Sequence, residues 1–307
     1  MTHLFIINPA AGSRDRTAEL CGQIRSVCEK KDLDYRIEVS TAPGECCRIA
    51  REAADSGEEL RIYACGGDGT LNEVVNGAAG HPNAAITHFA AGSGNDFDKI
   101  FSEPQAFQEL NRLLDSDEAE FDLIRCNGDY ALNIVSVGFD ARIGTDVGRY
   151  KRLPFLSGFR AYAVSALVNT IRGIGEHYRV ELDGKIYDGE NTLICICNGR
   201  YYGGGFNPIP EADPADGLLD VLLVDKVSRL KVAQVIGRYK NGEHERYADK
   251  IHYFRTKHLK IICDDATPIN LDGELRRSKV VDISLAQEKL RFFYPRGLDF
   301  HPKKKTQ

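Results

Sequence analysis

A glycine-rich loop with one aspartate is the feature of this sequence that points most directly to chemistry. It lies between an apolar run, 60–64, that predicts a buried strand and a stretch, 71–75, that predicts a helix, and it reads Cys65-Gly66-Gly67-Asp68-Gly69-Thr70. Glycines there let the backbone approach a phosphate, and a helix N-terminus directs N–H groups and partial positive charge at it. The Asp68 carboxylate would repel a phosphate unless a cation such as Mg²⁺ lay between them. The loop therefore predicts a site for a phosphorylated ligand and a cation; the alternative is a tight turn in which Asp68 caps the helix.

Four further clusters of glycines or carboxylates accompany this loop. They occupy 8–13, 91–96, 211–217 and 270–274. Asp-Gly is a common turn, so Asp216 and Asp272 could also lie in hairpins far from Asp68. We expect instead that five carboxylates share one cleft with Mg²⁺ and basic side chains, and that crowding raises the pKa of one of them toward that of a useful base. The five are Asp68, Asp96, Asp216, Asp272 and Glu274.

Composition and charge limit the class of protein. The 307 residues suffice for two domains, and 42% apolar with 28% charged residues is typical of a soluble globular chain. A net charge of −5 gives no reason to expect nucleic acid as a partner. No run of about eighteen apolar residues predicts a spanning helix, and the first residues lack the basic segment of a signal peptide. Nine cysteines, mostly in apolar patterns, predict free thiols in a reducing cytoplasm.

The order of predicted elements indicates two domains. Over 1–120, strands at 4–7, 35–39, 60–65 and 84–90 alternate with helices, the last near 104–114, which predicts a doubly wound parallel sheet with ligands beyond its carboxyl ends. Over 121–289 the pattern changes to short strands, which predicts an antiparallel β-sandwich with helices near 158–173 and 228–239. The predicted turns are Asn127-Gly128, Asp183-Gly184, Asp188-Gly189 and Asn198-Gly199. The segment 290–307 is a candidate to return to the first domain, and its lysines 303–305 predict a solvated tail.

Together these motifs resemble the diacylglycerol kinase catalytic family, and most of all its bacterial soluble lipid kinases of the diacylglycerol kinase B type. The resemblance extends from Asn8 to Glu274 and would include an α/β domain similar to that of NAD kinases. Its elements are the Asn-Pro-x-x-Gly opening, Gly-Gly-Asp-Gly-Thr with Asn72 and Glu73, Gly-x-Gly-Asn-Asp, Asn133 with Gly138-Phe139-Asp140, Gly203-Gly204-Gly205, Asp216-Gly217 and Asp272-Gly273-Glu274.

The resemblance implies a role for each matching residue. A structural Mg²⁺ would be held by Asp213, Asp216 and the Leu218 carbonyl, and Asp272 with Glu274 would supply the general base. ATP would be bound by Asn8, Pro9, Ala10, Ala11, Gly12, Thr41, Gly66, Gly67, Asp68, Gly69, Thr70, Leu71, Asn72, Glu73, Ser93, Asn95 and Asp96. Ser93 stands where the family usually has Thr, which keeps the hydroxyl.

The resemblance leaves one contact open, because the family often has Lys where this chain has Ser13. Arg14 and Arg16 follow Ser13. Which cation meets the phosphates therefore stays undecided at this point.

A lipid kinase without a spanning helix needs a surface that reaches the bilayer. The segment 150–160 places Leu153, Phe155 and Phe159 beside Lys151, Arg152 and Arg160, a composition that suits shallow insertion into anionic lipid. The alternative is that its apolar residues belong to the core. We expect a lipid substrate at the membrane surface, peripheral membrane association of a cytoplasmic protein, and leave a homodimer open.

These observations favour an ATP- and Mg²⁺-dependent kinase that converts diacylglycerol to phosphatidic acid. Phosphatidylglycerol and a sphingoid base are alternative acceptors. An NAD kinase is a second hypothesis, since that family shares the Gly-Gly-Asp-Gly-Thr loop, but the Asn8–Gly12 opening and the Gly-x-Gly-Asn-Asp loop favour lipid kinases. A third hypothesis is a non-catalytic lipid- or nucleotide-binding regulator, against which the retained carboxylates argue.

Overall fold

The computed structural model of the chain describes residues 1–92, 94–150 and 173–302. Three features predicted from the sequence lie outside these residues: Ser93, the segment 151–160 with most of the helix near 158–173, and the lysines at 303–305. None of the described helices is both long and apolar enough to cross a bilayer.

The first domain is built on a six-stranded sheet. Its strands are β1 Thr2–Ile7, β2 Tyr35–Val39, β3 Leu60–Gly66, β4 Ala84–Ala90, β5 Ser116–Phe121 and β15 Leu290–Pro295. They lie in the order β2-β1-β3-β4-β15-β5; β1 to β4 are parallel, and β15 runs parallel to β4 and antiparallel to β5. Strands β1 and β4 are buried along their whole length, as expected for a parallel sheet covered on both faces.

Four helices accompany this sheet: α1 Thr17–Lys30, α2 Glu45–Asp55, α3 Asp68–Ala78 and α4 Leu110–Leu114. The apolar face of α1 is buried through Leu20, Ile24 and Cys28, at the spacing that the helix period requires. The single helix predicted near 104–114 is instead a 3₁₀ turn, Pro104–Gln108, followed by the short α4. Pro104 suits the first position of the 3₁₀ turn, because proline favours the first turn of a helix. The extended backbone of Glu109 then separates this turn from α4.

In the part of the second domain that the structure describes, a nine-stranded antiparallel sheet is accompanied by two helices. The strands are β6 Ile124–Cys126, β7 Asp129–Ala131, β8 Ile134–Gly138, β9 Glu176–Leu182, β10 Lys185–Cys197, β11 Leu219–Asp225, β12 Ile251–Thr256, β13 His258–Leu271 and β14 Glu274–Leu285. The helices are α5 Phe139–Tyr150 and α6 Arg229–Lys240. The sheet order is β12-β11-β10-β8-β13-β14-β6-β7, and β9 pairs with both β10 and β13. The parallel α/β domain and the antiparallel β-domain of the predicted fold class are both present.

The Asn/Asp-Gly pairs of this domain have different outcomes. Asn127 and Asp183 lie in hairpin turns with φ of 50° and 49°, a conformation that Asn and Asp tolerate better than most residues. The predicted turn at Asp188-Gly189 is wrong, because both residues lie inside β10 and pair with β9. The half of β10 that contains these two residues pairs with β9 but not with β11, whose pairing with β10 begins at Asn191. One edge of this half is therefore open, and an open edge accommodates residues such as Asp and Gly that form strands poorly.

All nine cysteines are free thiols, seven buried and two partly buried. Cys195 and Cys197 lie on the same face of β10 with their sulfurs 3.6 Å apart. Burial raises the pKa of the Cys46 thiol to about 11, so this thiol stays protonated and behaves as a small apolar group.

Candidate functional site

An open cleft with about 1550 Å³ of empty space is lined by residues of both domains. The first domain contributes the loops after β1, β3 and β4, which are all at the carboxyl ends of parallel strands. The second domain contributes the segment before β8, the start of α5 and the hairpin between β13 and β14. The glycines and carboxyl groups of its lining are Gly12, Gly67, Asp68, Gly69, Gly92, Gly94, Asp96, Asp140, Gly144, Gly203, Gly204, Asp272, Gly273 and Glu274.

The loops after β3 and β4 are in direct backbone contact. The carbonyl oxygen of Gly66 accepts the N–H groups of Ala91 and Gly92 at 2.7 and 2.9 Å. A Cβ atom on Gly92 would lie 2.4 Å from the Cα atom of Gly67, so only glycine fits at this approach. Gly67 is the N-cap of α3, and the N-terminal N–H groups of that helix therefore border the cleft. This is the geometry of an anion-binding helix terminus.

The loop after β1 is shaped by the side chain of Asn8. Its Oδ1 accepts the N–H of Ala10 at 3.0 Å, and its Nδ2 donates to Thr70 Oγ1 at 3.0 Å. Gly12 has φ of +79°, and a Cβ atom there would lie 2.9 Å from the Ala91 carbonyl oxygen. Asn8 thus ties this loop to α3, and Gly12 brings it against the loop after β4.

Two carboxyl groups of the cleft lie close together, Asp96 buried and Asp68 partly buried. Asp68 Oδ1 accepts the N–H of Asp96 at 2.5 Å. Asp96 accepts from the Lys99 ammonium at 2.5 Å and from the Gly204 N–H at 2.8 Å. Burial, and then the neighbouring Asp96 charge, raise the pKa of Asp68 above its usual value. A bound cation would relieve that cost.

A buried histidine supports the same loop from behind. His88 Nδ1 is 2.9 Å from an oxygen of Asp98, and Nε2 is 3.0 Å from the Gly66 carbonyl oxygen. Burial alone would lower the pKa of His88, but the Asp98 carboxylate outweighs it and raises that pKa. The pair fixes the carbonyl that holds the two phosphate loops together. Sequence reasoning assigns it no role, and its only signal is its position, next to Thr87, as a polar residue within the apolar run of β4.

Asp272 lines the cleft, but its carboxyl group is held by backbone N–H groups. Its oxygens accept N–H groups of Leu132, Asn133 and Ile134 at 2.6, 3.0 and 2.7 Å, and the Asn72 amide at 3.3 Å. Burial raises the pKa of Asp272 to about 6 even though these donors favour the ionised form. The carboxyl group therefore joins the first domain, through Asn72, to the beginning of β8.

Glu274 lies two residues further along the same hairpin and differs in its surroundings. Its side chain is half-exposed, and the nearest cation is Arg276, whose guanidinium lies 3.9 Å from Oε2. A Cβ atom on Gly69 would be 3.5 Å from Glu274 Oε1. Glu274 therefore faces the first turn of α3 with an available carboxylate.

A second cavity, almost wholly apolar, adjoins the cleft. It contains about 790 Å³ of empty space, is open to solvent and is lined by residues of α5, α6, β10 and β11. Asp140 and Tyr202 line both the cleft and this apolar cavity, so the two adjoin each other there. Burial raises the pKa of Asp140 to about 6. Asp140 has no role assigned from the sequence alone; its signal is its position directly after the buried strand β8.

The predicted nucleotide-binding residues fall into three groups. Gly12, Gly67, Asp68, Gly69, Leu71, Asn72 and Asp96 line the cleft, while Asn8, Pro9, Ala10, Ala11, Gly66, Thr70 and Asn95 belong to the loops around it without lining it. Thr41 and Glu73 are engaged elsewhere: Thr41 contacts Glu45 at the start of α2, and Glu73 accepts the N–H groups of Gly44 and Cys46. Ser93 lies outside the described residues.

The expectation that Asp216 shares the cleft needs correction. Asp216 is absent from the cleft lining and forms an ion pair with Arg255 of β12. Its other oxygen accepts the Leu218 N–H, and Asp213 contacts Ala215 and His301. The turn that carries Asp213, Asp216 and Leu218 packs against β12. It lies at the same end of the β-sheet as the hairpin of Asp272, but β10 and β8 separate the two.

The basic residues that follow Ser13 do not reach the cleft. Arg14 and Arg16 both pair with Glu19 of α1, at 3.0 and 2.6 Å. Among the described residues that line the cleft there are five acidic side chains and no lysine, arginine or histidine. Across the described residues, no group of three or more His, Cys, Asp or Glu side chains is arranged to hold a metal ion.

Comparison with known proteins agrees with this architecture. Residues 133–293 match the model of the YegS C-terminal NAD kinase beta sandwich-like domain, and residues 2–126 match the diacylglycerol kinase catalytic domain. A protein of Staphylococcus carnosus (strain TM300) named "Putative lipid kinase" is 25% identical over 296 residues, which cover 95% of this chain and 96% of that protein. A "Putative lipid kinase" of Staphylococcus aureus (strain MRSA252) is 25% identical over 272 residues, 87% of each chain.

Solved structures share the fold at low identity. A "putative diacylglycerol kinase" from Bacillus anthracis str. Sterne superimposes with a TM-score of 0.71 at 22% identity, over 95% of this chain and 96% of that one. An NAD kinase from Archaeoglobus fulgidus in complex with ATP superimposes with a TM-score of 0.54 at 13% identity, over 96% and 94%. Because one family model covers more than half of the chain and the second covers most of the rest, the chain belongs to the diacylglycerol kinase catalytic-domain family, in the group that carries a YegS-type C-terminal domain.

Proposed function

We propose that this chain is an ATP-dependent lipid kinase that phosphorylates a lipid hydroxyl, with diacylglycerol as the first choice of acceptor. The observation that carries the proposal is that two unlike cavities adjoin each other at Asp140. One is a cleft of glycine loops and carboxylates suited to a nucleotide, and the other is an apolar cavity suited to hydrocarbon. A kinase of lipids needs both, side by side.

The cleft would bind ATP through backbone N–H groups and a cation. Its described lining is acidic and lacks basic side chains, so the phosphates of ATP would be repelled without Mg²⁺. Magnesium is commonly held by one or two carboxylates and the substrate's own phosphates, and Asp68 with Asp96 supplies hard oxygen donors of that kind. Bound there, Mg²⁺ would neutralise charge that develops on the transferred phosphoryl group.

Of the two carboxyl groups in the β13–β14 hairpin, Glu274 is the better candidate for the general base. A base must accept the proton of the lipid hydroxyl as the new bond forms. The lone pairs of Asp272 are already occupied by four N–H donors, whereas Glu274 is half-exposed and faces the first turn of α3. Asp272 would act as a positioning residue that holds the hairpin in place.

The proposed acceptor distinguishes this function from NAD phosphorylation. The Archaeoglobus structure is named an NAD kinase, and its fold likeness keeps that function as a comparison. NAD carries phosphates, riboses and amides, and an apolar cavity offers these groups no hydrogen bonds. The cavity instead favours an acyl or alkyl chain, because the binding free energy becomes more favourable by about 25 cal/mol for each Å² of apolar surface removed from water.

The test is a phosphotransfer assay with purified full-length protein, ATP and Mg²⁺. The acceptors are diacylglycerol, phosphatidylglycerol and sphingosine in mixed micelles, and NAD in solution. Labelled phosphatidic acid is the expected product. Label only in the product of phosphatidylglycerol or of sphingosine would assign that lipid as the acceptor in place of diacylglycerol. Label only in NAD, or no labelled product at all, would contradict the proposal.

A pair of substitutions on α6 tests the role of the apolar cavity. Val235 lines that cavity, whereas its neighbour Gln234 is exposed to solvent. We expect Val235→Trp to raise KM for the lipid while KM for ATP stays unchanged, and Gln234→Trp to change neither. Equal lipid KM values for the two variants would place the acyl chain elsewhere.

A further inference from the structure

Helix α6 has an unusual charge for a chain that is acidic overall. Its sequence, RLKVAQVIGRYK, contains four basic residues and no acidic one, while the whole chain has a net charge of −5. A solvated helix face usually mixes both signs, so four charges of one sign indicate a partner of the opposite sign.

Three of the four positive charges on this helix, those of Lys231, Arg238 and Lys240, are not neutralised by described carboxylates. Lys231 lies over the Tyr247 ring at 5.1 Å, Arg238 donates to the Tyr247 hydroxyl at 3.0 Å, and Lys240 lies over the Phe206 ring at 5.6 Å. Within the described residues, none of these three side chains forms an ion pair with Asp or Glu. Aromatic contacts hold the cations in place but leave their charge available to a partner.

The same helix exposes two large apolar side chains. Leu230 is 79% exposed and Ile236 is 42% exposed. Leu230 precedes Lys231 in the first turn, so an apolar side chain projects into solvent beside a cation. This combination of exposed aliphatic groups and basic residues is what an interfacial helix needs for shallow insertion.

Helix α6 also covers the apolar cavity. Val232, Val235 and Tyr239 line that cavity from the inner side of the helix. Lys231 and Lys250 are the two basic residues in the cavity lining. The charged outer face of α6 and the cavity are therefore opposite sides of one element, and a surface that contacts α6 lies close to the cavity.

We propose that the outer face of α6, formed by Leu230, Arg238 and Lys240, docks on the surface of an anionic lipid bilayer. The cations would meet phosphate groups of the lipids, and Leu230 would enter the boundary between head groups and acyl chains. The purpose of this contact rests on the proposed function, because it brings the apolar cavity to the source of its substrate. The contact itself requires no turnover.

The experiment measures binding of the full-length protein to vesicles, without ATP, by cosedimentation. Wild-type protein should bind vesicles of phosphatidylcholine with phosphatidylglycerol and should bind pure phosphatidylcholine vesicles much more weakly. Binding should weaken at high salt, since each basic residue near an anionic surface contributes about a fivefold gain.

Two variants test the face, and a third is the matched control. Leu230→Glu removes the exposed aliphatic group and adds an acidic residue to the first turn, where it suits the helix dipole. Lys240→Glu reverses one charge. Ile186→Glu changes another exposed aliphatic residue, 55% exposed, in β10. We expect a loss of about fivefold or more in vesicle affinity for the two α6 variants and none for Ile186→Glu.

Several outcomes would overturn the proposal. One is that both α6 variants retain the wild-type melting temperature and still bind anionic vesicles with wild-type affinity. Another is equal binding of the wild type to neutral and anionic vesicles. A third is a wild-type dimer that Leu230→Glu converts to a monomer without loss of vesicle binding, because the face would then be an interface between two copies. Vesicle binding is scored separately from phosphotransfer, so failure here is distinguishable from failure of the kinase proposal.

Discussion

Replacing the two hairpin carboxyl groups one at a time separates the general base from the residue that positions it. Glu274→Gln should lower kcat by about 10²–10⁴-fold, the usual contribution of a positioned base. It should change the free energy of unfolding by under about 1 kcal/mol, because the side chain is half-exposed and its one ion-pair contact is 3.9 Å long.

Asp272→Asn should behave differently because Asn retains a single acceptor oxygen. Asp272 Oδ1 accepts two N–H groups and Oδ2 accepts three, one of them shared. Replacing either oxygen by NH₂ loses at least two hydrogen bonds to a charged group, each worth about 1.5–3 kcal/mol. The lower end applies, since burial already raises the pKa of Asp272 to about 6 and so penalises the ionised form. The expected loss is about 3 kcal/mol, which lowers Tm by about 5 °C for a chain of 307 residues.

The assay combines thermal unfolding with phosphotransfer kinetics at a temperature where both variants are folded. We expect Glu274→Gln to keep the wild-type Tm and lose kcat, and Asp272→Asn to lose Tm and a smaller part of kcat. The opposite pattern, an inactive Asp272→Asn at wild-type Tm together with an active Glu274→Gln, would assign the base to Asp272 and refute the reasoning from its occupied lone pairs.

Four further outcomes are expected. Gly92→Ala should weaken ATP binding at least about tenfold by calorimetry, because its methyl group would lie 2.4 Å from the Gly67 Cα; an unchanged affinity would mean that the two phosphate loops need not touch. Burial, and then the charge of a nearby arginine, lower the pKa of His3 from 6.5 to about 4. The contribution of the neutral imidazole to stability is therefore complete above pH 6.5 and is lost as the pH falls toward 4. His3→Gln should flatten the dependence of Tm on pH in that range. Asp216→Ala should abolish any rise of Tm with Mg²⁺, and a wild-type Tm that ignores Mg²⁺ would remove the predicted structural metal site. Replacing Lys151 and Arg152 with Glu should weaken binding to anionic vesicles, and unchanged cosedimentation would remove their segment from the docking surface.

Local patterns were sufficient for the architecture of the first domain. Continuous apolar runs at β1, β3 and β4 indicate strands buried on both faces, and glycine loops directly after them indicate where a ligand lies. The loop around Asp68 could be identified because strand, glycines and helix are consecutive in the chain, and short-range geometry determines their arrangement. Two long-separated sequence motifs, around Asp68 and Asp272, do border one cleft.

Long-range pairing decided what the patterns could not. Asp-Gly predicts a turn at both Asp183 and Asp188, but the pairing of β9 with β10 places the turn at Asp183 and carries Asp188 into a strand. The same kind of information separates Asp216 from the cleft, since its partner Arg255 is brought to it by the pairing of β11 with β12.

Residue type by itself determined that this chain carries glycine loops, carboxylates and a basic helix, and the order of its elements determined a parallel α/β domain followed by an antiparallel β-domain. The tertiary structure alone decided which carboxylates are available. Asp272 and Glu274 are two residues apart, chemically alike and both border the cleft, yet the carboxylate of Asp272 is enclosed by N–H groups of the β8 segment and that of Glu274 is half-exposed. It also decided that the apolar cavity meets the cleft at Asp140, because α5, α6 and β10 come together only in the folded chain. The physical reason is that burial and hydrogen bonding depend on neighbours distant in sequence, which no local pattern specifies.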